Sequence, residues 1–478
     1  MGVDLASKSK RARIAPQKNQ VRTFLYLAVA VFFVKLIIIF NVEGSAWYGA
    51  DGENYISAYD ALVTDGIFSS ERLLHYWPAG YPLFLLLLSF FGESWLFATL
   101  TILQSAIYSF ATFFFAQQLL KTKFSKYSFL VFILIILNPT LSLSSIVVGY
   151  ESLAASGLLL ILALLVQDVS CIEKDLFIRN LLLASFTITF ISFFQPRLLL
   201  SGLVVLIIWV LARKPIKTAV FSIIIATIIV AIAPGALIFR NQKANNFSAV
   251  STNLGVTMNL GAGDKANGGY DISSDYGVKC SEVLGDAASQ DRHLVMCVVK
   301  WYLNNPQKSG QLFINKSLYF WSPWTNNGFL GESPPGSMKR NPWLKINPIV
   351  NIAKNSVEGE NLVNGTTGKA VAWLWMTASL LVMAIGFFSL WRTNGVERLI
   401  AYAAMSQILL NWLVSLGTLG DHRQRLPILG LSIFFQAIGI KTIFKGRKSI
   451  LTRGSLMPEK SGKKSISDDK LKKTISKQ

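Results

Sequence analysis

Ionisable side chains are scarce in this sequence, and they gather at the ends of long apolar runs. Asp51 and Glu53 stand two residues apart, with Arg72 and His75 a short way on. Glu151, Arg197 and the pair Arg240 and Lys243 follow singly, and Asp421-His422-Arg423-Gln424-Arg425 closes the series. Carboxylates beside several cations suit reaction with an anionic, lipid-linked compound. An arginine forks onto two phosphate oxygens, and a carboxylate takes a proton from the other reactant as a general base. Asp51-Gly52-Glu53 is also a spacing that a metal–diphosphate site can use, which leaves a divalent metal open. The plainer readings are that such charges are solvated anchors of helix ends, and that Asp51 caps the helix after it.

The surrounding chain must position these groups inside a membrane. Of its 478 residues 52% are hydrophobic and 15% charged, with a mean hydropathy of +0.45. Several runs approach the roughly 20 apolar residues that cross a bilayer as a helix. The net charge of +20 lies largely in two tails and reads as topology, since Lys and Arg stay on the cytoplasmic face. Attraction to anionic membrane lipids adds to it, and without interleaved aromatics the tails do not point to nucleic acid. The expected class is an all-α polytopic membrane protein with about ten or eleven spans.

Placing the basic loops inside orders the chain. A basic cytoplasmic tail (1–22) precedes an N-terminal transmembrane module (23–239). Its spans are expected at about 23–41, 94–120, 127–144, 152–167, 180–194, 198–211 and 219–239. Within the first outer loop (42–92), the stretch Ala50–Phe91 carries five acidic residues, Asp51, Glu53, Asp60, Asp65 and Glu71. Tyr55, Ala58, Tyr59 and Leu62 follow Asp51 at helical steps and predict an amphipathic helix on the membrane surface. The run Tyr81–Phe91 is too short to span and reads as re-entrant; counting it as a span would put the Lys121–Lys126 cluster outside. A large polar outer loop (240–369) comes next, then C-terminal spans at about 370–390, 399–416 and 426–443. A basic cytoplasmic tail (444–478), expected to be disordered, ends the chain. Cys280 and Cys297 share the outer loop and are expected to pair on an oxidising side; unpaired thiols are the alternative.

Four motifs in chain order resemble those of the C-superfamily (GT-C) membrane glycosyltransferases. Asp51…Tyr55…Ala58…Ala61-Leu62…Gly66 with Trp77-Pro78-Ala79-Gly80-Tyr81-Pro82-Leu83 resembles their first outer loop. Asn138-Pro139 with Tyr150-Glu151-Ser152-Leu153 is similar to their second acidic loop. Pro234…Phe239-Arg240-Asn241, followed by Phe247, Ser251, Asn253, Gly255, Asn259-Leu260 and Gly261, resembles the exit into the large outer domain. Arg423-Gln424-Arg425-Leu426-Pro427-Ile428 resembles an Arg-x-Arg-x-Pro segment. The nearer likeness is to the protein O-mannosyltransferase and lipid A aminoarabinose transferase branch (family 39/83-like).

The resemblance implies an inverting enzyme that moves a sugar from a polyprenyl-phosphate carrier to a hydroxyl acceptor on the outer face. The acceptor would be a glycolipid, polysaccharide or protein. Asp51 would be the base and Glu151 the second acidic group. Arg240, Arg423, Arg425, Arg72 and His75 would hold the carrier phosphate, while Glu53, Tyr55 and Tyr81 would position donor or acceptor. Asp51 and Glu53 are the weak metal candidates, and no other cofactor is implied. Arg197 departs from the family's Arg-Pro order, and the second acidic position is Glu rather than Asp. The expected location is a bacterial inner membrane, with both termini cytoplasmic and the active site outside. A transporter or lipid-linked-sugar flippase without chemistry is the rival reading. It would more often show midplane charges, broken helices and an internal repeat.

Overall fold

The computed structural model describes residues 18–41, 51–170, 176–269, 277–321, 366–393 and 395–454. Residues 1–17, 322–365 and 455–478 lie outside the described residues; the tail expected to be disordered from 444 is helical as far as Gly454. Among the described residues eight helices are long and apolar enough to cross a membrane. The chain is an all-α multi-pass bundle.

The chain opens with α1 (Lys18–Asn41). A site-end group follows, made of α2 (Gly52–Asp65), the short α3 (Leu73–Tyr76) and α4 (Gly80–Ser89). Then come α5 (Leu96–Leu119), α6 (Ser125–Ile136), α7 (Pro139–Ser144), α8 (Glu151–Ser170), α9 (Phe177–Phe194), α10 (Leu198–Arg213) and α11 (Ile216–Asn245). A lobe of α12 (Leu254–Leu260), α13 (Ala287–Asn304) and α14 (Pro306–Trp321) precedes α15 (Thr366–Trp391) and α16 (Val396–Gly417). The last two helices are the single turn α17 (His422–Arg425) and α18 (Leu429–Gly454). Tyr81–Phe91 largely coincides with α4, whose 10 residues are too few to span.

Helix α8 is the axis of the bundle. Leu153, Ala154, Ala155, Leu158, Leu159, Ile161 and Leu162 are all buried, so apolar side chains cover its whole circumference. That pattern belongs to a helix with no lipid-facing side. It packs against α5 and α9, while α10 packs against α16 and α15 against α18. By contrast α1, α11 and α15 bury only about a fifth of their apolar windows. Their outward residues, such as Phe33, Ile37, Phe221, Ile228, Leu374 and Leu381, are exposed in a way that lipid tails satisfy.

The expected third span is broken in two. Pro139 disfavours a helical residue before it, and Asn138 has extended backbone there. Its Oδ1 accepts from Leu141 N at 2.9 Å, so α6 stops at Ile136 and α7 restarts with a side-chain cap. After α7 the backbone from Ser145 to Tyr150 is buried and not helical. Side chains must then take up its polar groups. Gln104 Nε2 donates to Val147 O at 2.9 Å. Gly149 N donates to Tyr81 Oη at 2.8 Å. Lys35 Nζ on α1 donates to Ser145 Oγ at 2.9 Å. This braced segment delivers Glu151 to the first turn of α8.

At the opposite end of the bundle Asp168 on α8 is 1% exposed. It accepts from Trp209 Nε1 and from Arg213 Nε on α10, each at 2.9 Å. Arg213→Ala would leave that carboxylate buried with only an indole N–H. The expected cost is about 3 kcal/mol, seen as a lower Tm in nanodiscs with the site end unchanged.

In the lobe, Cys280 and Cys297 form a disulfide. The bond ties the strandless stretch after residue 277 to the middle of α13, and Asp286 caps that helix by accepting from Ser289 N at 2.7 Å.

Candidate functional site

The site forms where the first turn of α2, the first turn of α8 and α17 meet. Asp51 occupies the N-cap position of α2, yet its side chain makes no capping bond. The carboxylate points instead to Arg423: Nη2 donates to Asp51 Oδ2 at 2.5 Å. From the same guanidinium, Nε donates to Glu151 Oε1 at 2.6 Å. One arginine therefore bridges two carboxylates 100 residues apart in sequence. Asp421 caps the turn that carries it, accepting from Arg423 N at 3.0 Å.

All three side chains of this cluster are mostly buried but not sealed. Arg423 keeps 18% of its side chain exposed, Asp51 20% and Glu151 7%. Charge-assisted bonds in such a place are short and geometrically strict. Among the described residues, Asp51 Oδ1 and Arg423 Nη1 carry no hydrogen bond. Asp51 thus keeps one carboxylate oxygen and Arg423 one guanidinium nitrogen beyond the bridge that joins them.

Tyrosines wall the cluster. Tyr55 stacks at a tilt on Tyr81, 4.9 Å between ring centroids, and meets Tyr150 edge-on at 6.3 Å. Tyr150 Oη accepts from Gln195 Nε2 at 2.8 Å. Burial pushes the Tyr55 hydroxyl well above its ordinary pKa, with Asp51 adding to the rise. Burial raises Tyr150 as well. Both phenols are neutral and able to donate.

Gly149 sets the seat of Glu151. A Cβ at Gly149 would lie 2.6 Å from Glu151 Oε2. Gly149→Ala must push the carboxylate aside, against its bond to Arg423. The expected result is a loss of activity of about 10- to 100-fold with little change in Tm, checked by initial rates on matched protein.

The remaining sequence candidates fall into two groups, and some exchange roles. Arg240 is 3% exposed and its donors are committed to protein oxygens. Nε donates to Ile67 O at 3.2 Å, Nη1 to Leu74 O at 3.2 Å and to Asn241 Oδ1 at 2.9 Å, and Nη2 to Ser69 O. It clamps the loop between α2 and α3, and has no edge left for a phosphate. Arg425 is likewise packed: Nη1 donates to Trp321 O at 2.7 Å, its Nη2 contacts His422 Nδ1 at 2.9 Å, and the guanidinium lies over the Trp321 ring. These bonds fasten α17 to the end of α14.

His75 is half-buried against Thr252, with Nδ1 and Oγ1 3.0 Å apart. Burial lowers its pKa, and Arg240 and Arg72 add to the lowering. Arg72 is exposed over the Tyr76 ring. Neither residue bonds to Asp51, Glu151 or Arg423 among the described residues.

Glu53 is exposed on the first turn of α2. Among the described residues no group of three or more His, Cys, Asp or Glu side chains is arranged to hold a metal. The Asp51 and Glu53 pair does not fit a metal site, because Asp51 already faces a guanidinium and Glu53 faces away into the open.

The structure brings Arg197 forward instead. Its Nε is buried and has no hydrogen-bond partner among the described residues. Burial lowers its pKa from the ordinary arginine value, opposed by Tyr150, Glu151 and Asp421, while Arg423 adds to the lowering. Those neighbours place it at the rim of the cluster. Asp421 is a third carboxylate there, with a pKa raised by burial and by Asp51.

Two solved structures of the Archaeoglobus fulgidus oligosaccharyltransferase resemble the chain. The apo form matches at 12% identity and a TM-score of 0.48, covering 93% of this chain. The enzyme named AglB, in complex with an inhibitory peptide and a dolichol-phosphate, matches at 13% identity and a TM-score of 0.44, covering 92%. The chain spans about half, 53%, of the length of each. No family model matches the sequence, and no curated protein does.

Proposed function

We propose that the chain is a membrane glycosyltransferase of the GT-C type. It transfers a sugar from a polyprenyl-phosphate donor to a hydroxyl acceptor. The observation that carries this reading is the Arg423 bridge, which fixes two carboxylates and leaves Asp51 Oδ1 and Arg423 Nη1 without protein partners among the described residues.

In this reading the carrier phosphate lies against Arg423 Nη1 and Arg197. The acceptor hydroxyl gives its proton to Asp51 Oδ1 as its oxygen attacks the anomeric carbon from the opposite face. The bond from that carbon to the phosphate oxygen breaks, and its electron pair leaves with the carrier phosphate. Inversion follows from the single displacement. The extra negative charge develops beside the guanidinium groups assigned to the phosphate. Glu151 holds Arg423 in register, and the neutral hydroxyls of Tyr55 and Tyr150 line the sugar's approach. The apolar bundle receives the polyprenyl tail, and the lobe of α12–α14 shapes the acceptor side.

The distribution of Lys and Arg supports an outer position for this end and a cytoplasmic one for both termini. The motif likeness favours the protein O-mannosyltransferase and aminoarabinose transferase branch, in a bacterial inner membrane.

A binding measurement tests the donor class. Polyprenyl phosphate should raise the Tm of the protein in nanodiscs, and polyprenol of the same length should not. Equal shifts from both would reject a phosphate site.

A further inference from the structure

Lys316 on α14 is 0% exposed, and the mechanism above does not use it. Its Nζ donates to Tyr302 Oη at 2.6 Å, to Leu416 O at 3.0 Å and to Thr418 O at 2.7 Å. No carboxylate pairs with it among the described residues. A buried ammonium needs compensation, and here the end of α16 supplies it. Leu416 and Thr418 carry carbonyls that the helix leaves unpaired at its negative end. Lys316 is thus a cap for α16 that arrives from another part of the chain.

The approach is tight. A Cβ at Gly261 would lie 3.1 Å from Lys316 Nζ, and one at Gly268 3.0 Å from its Cγ. Gly420 is pressed against the Lys316 main chain, and its N–H donates to Gly268 O at 2.9 Å. Three glycines therefore close around one lysine, and they come from the lobe and from the turn after α16. Burial lowers the Lys316 pKa to about 7. The neutral amine keeps two N–H groups for the two carbonyls and accepts from Tyr302, so the arrangement survives either protonation state.

The capped carbonyls lie only a few residues before Asp421 and Arg423. Arg423 must hold Glu151 through Nε and Asp51 through Nη2 at once, and a turn that swings by an ångström loses one of them. We propose that Lys316 is a positioning residue, through which the α12–α14 lobe seats the Gly417–Arg425 turn and sets Arg423 in the cluster. Lys316→Met keeps the length and bulk of the side chain and removes only its hydrogen bonds, leaving the Leu416 and Thr418 carbonyls without their donor, so its effect is expected first at that turn.

The test has two arms on the full chain in nanodiscs. Hydrogen exchange of peptides covering Gly417–Arg425 should quicken by about tenfold or more in Lys316→Met, with exchange in α8 and α10 unchanged. Exchange in that turn at the wild-type rate would overturn the proposal. If Lys316→Met does not assemble, Tyr302→Phe removes one ammonium partner and keeps the chain's packing. It should quicken the same turn, and an unchanged turn would overturn the proposal equally.

The second arm rests on the proposed function. The Tm shift given by polyprenyl phosphate should shrink in Lys316→Met, and the double variant with Arg423→Ala should lose no more than Arg423→Ala alone. Additive losses would mean that Lys316 acts apart from Arg423, and would overturn it. Absence of any shift in the wild type would count against the donor reading and leave the exchange arm to decide on Lys316.

Discussion

Arg423→Ala should abolish sugar transfer, with a loss of about 10³-fold or more. The substitution removes two charge-assisted hydrogen bonds, at 2.5 and 2.6 Å, in one step. It leaves Asp51 and Glu151 as two like charges in a half-buried site, where neither keeps its orientation. It also removes Nη1, the donor proposed for the carrier phosphate, and a single donor aimed at developing charge is commonly worth 10²- to 10³-fold. Arg423→Lys should recover little. One ammonium cannot reach two carboxylates and a phosphate with the fixed fork of a guanidinium. Initial rates on membranes with matched expression give the measurement. A well-inserted Arg423→Ala protein with near wild-type rates would remove the bridge from the mechanism.

Asp51→Asn carries the second large effect. The amide matches the carboxylate in shape, and its oxygen still faces Arg423. It cannot take a proton from the acceptor. The expected fall in kcat is about 10²- to 10⁴-fold, the range of general-base catalysis, while KM for the donor changes little, because the phosphate contacts are intact. A fall in donor affinity with kcat preserved would make Asp51 a binding group, not the base.

Much of this was legible in the chain. Apolar length located the helices, and the periodicity after Asp51 corresponds to α2, with Tyr55, Ala58, Tyr59 and Leu62 buried on one face. Asp51, Glu151 and Arg423 stand out in so apolar a chain because charges are costly beside lipid and need a reason, and the fold brings the three together. The roles of the other arginines were not. Arg240 and Arg425 stand at helix ends in polar sequence, as phosphate ligands would. Only the fold reveals that loop carbonyls and Trp321 O take up their donors. Arg197 reads poorly from its neighbours, since its value lies in a buried Nε without a partner.

Other features left no sequence pattern to find. The break between α6 and α7 was written in Asn138-Pro139, but apolar residues on both sides give the appearance of one span. Lys316 sits in a polar helix where nothing local distinguishes it from a solvated lysine. Two of its partners, Leu416 O and Thr418 O, lie about 100 residues away at the end of α16. A distant cap of that kind is set by tertiary packing and has no local signature.

The most direct test of the account compares a deletion strain carrying the wild-type chain with one carrying Asp51→Asn at equal expression. Mass analysis of its lipid-linked sugars and glycoconjugates reads both sides of the reaction. The account predicts that Asp51→Asn leaves a polyprenyl-phosphate sugar accumulated and one glycosylated product missing, and that the wild-type chain reverses both. Identical lipid-linked sugars and identical glycoconjugates in the two strains would contradict it.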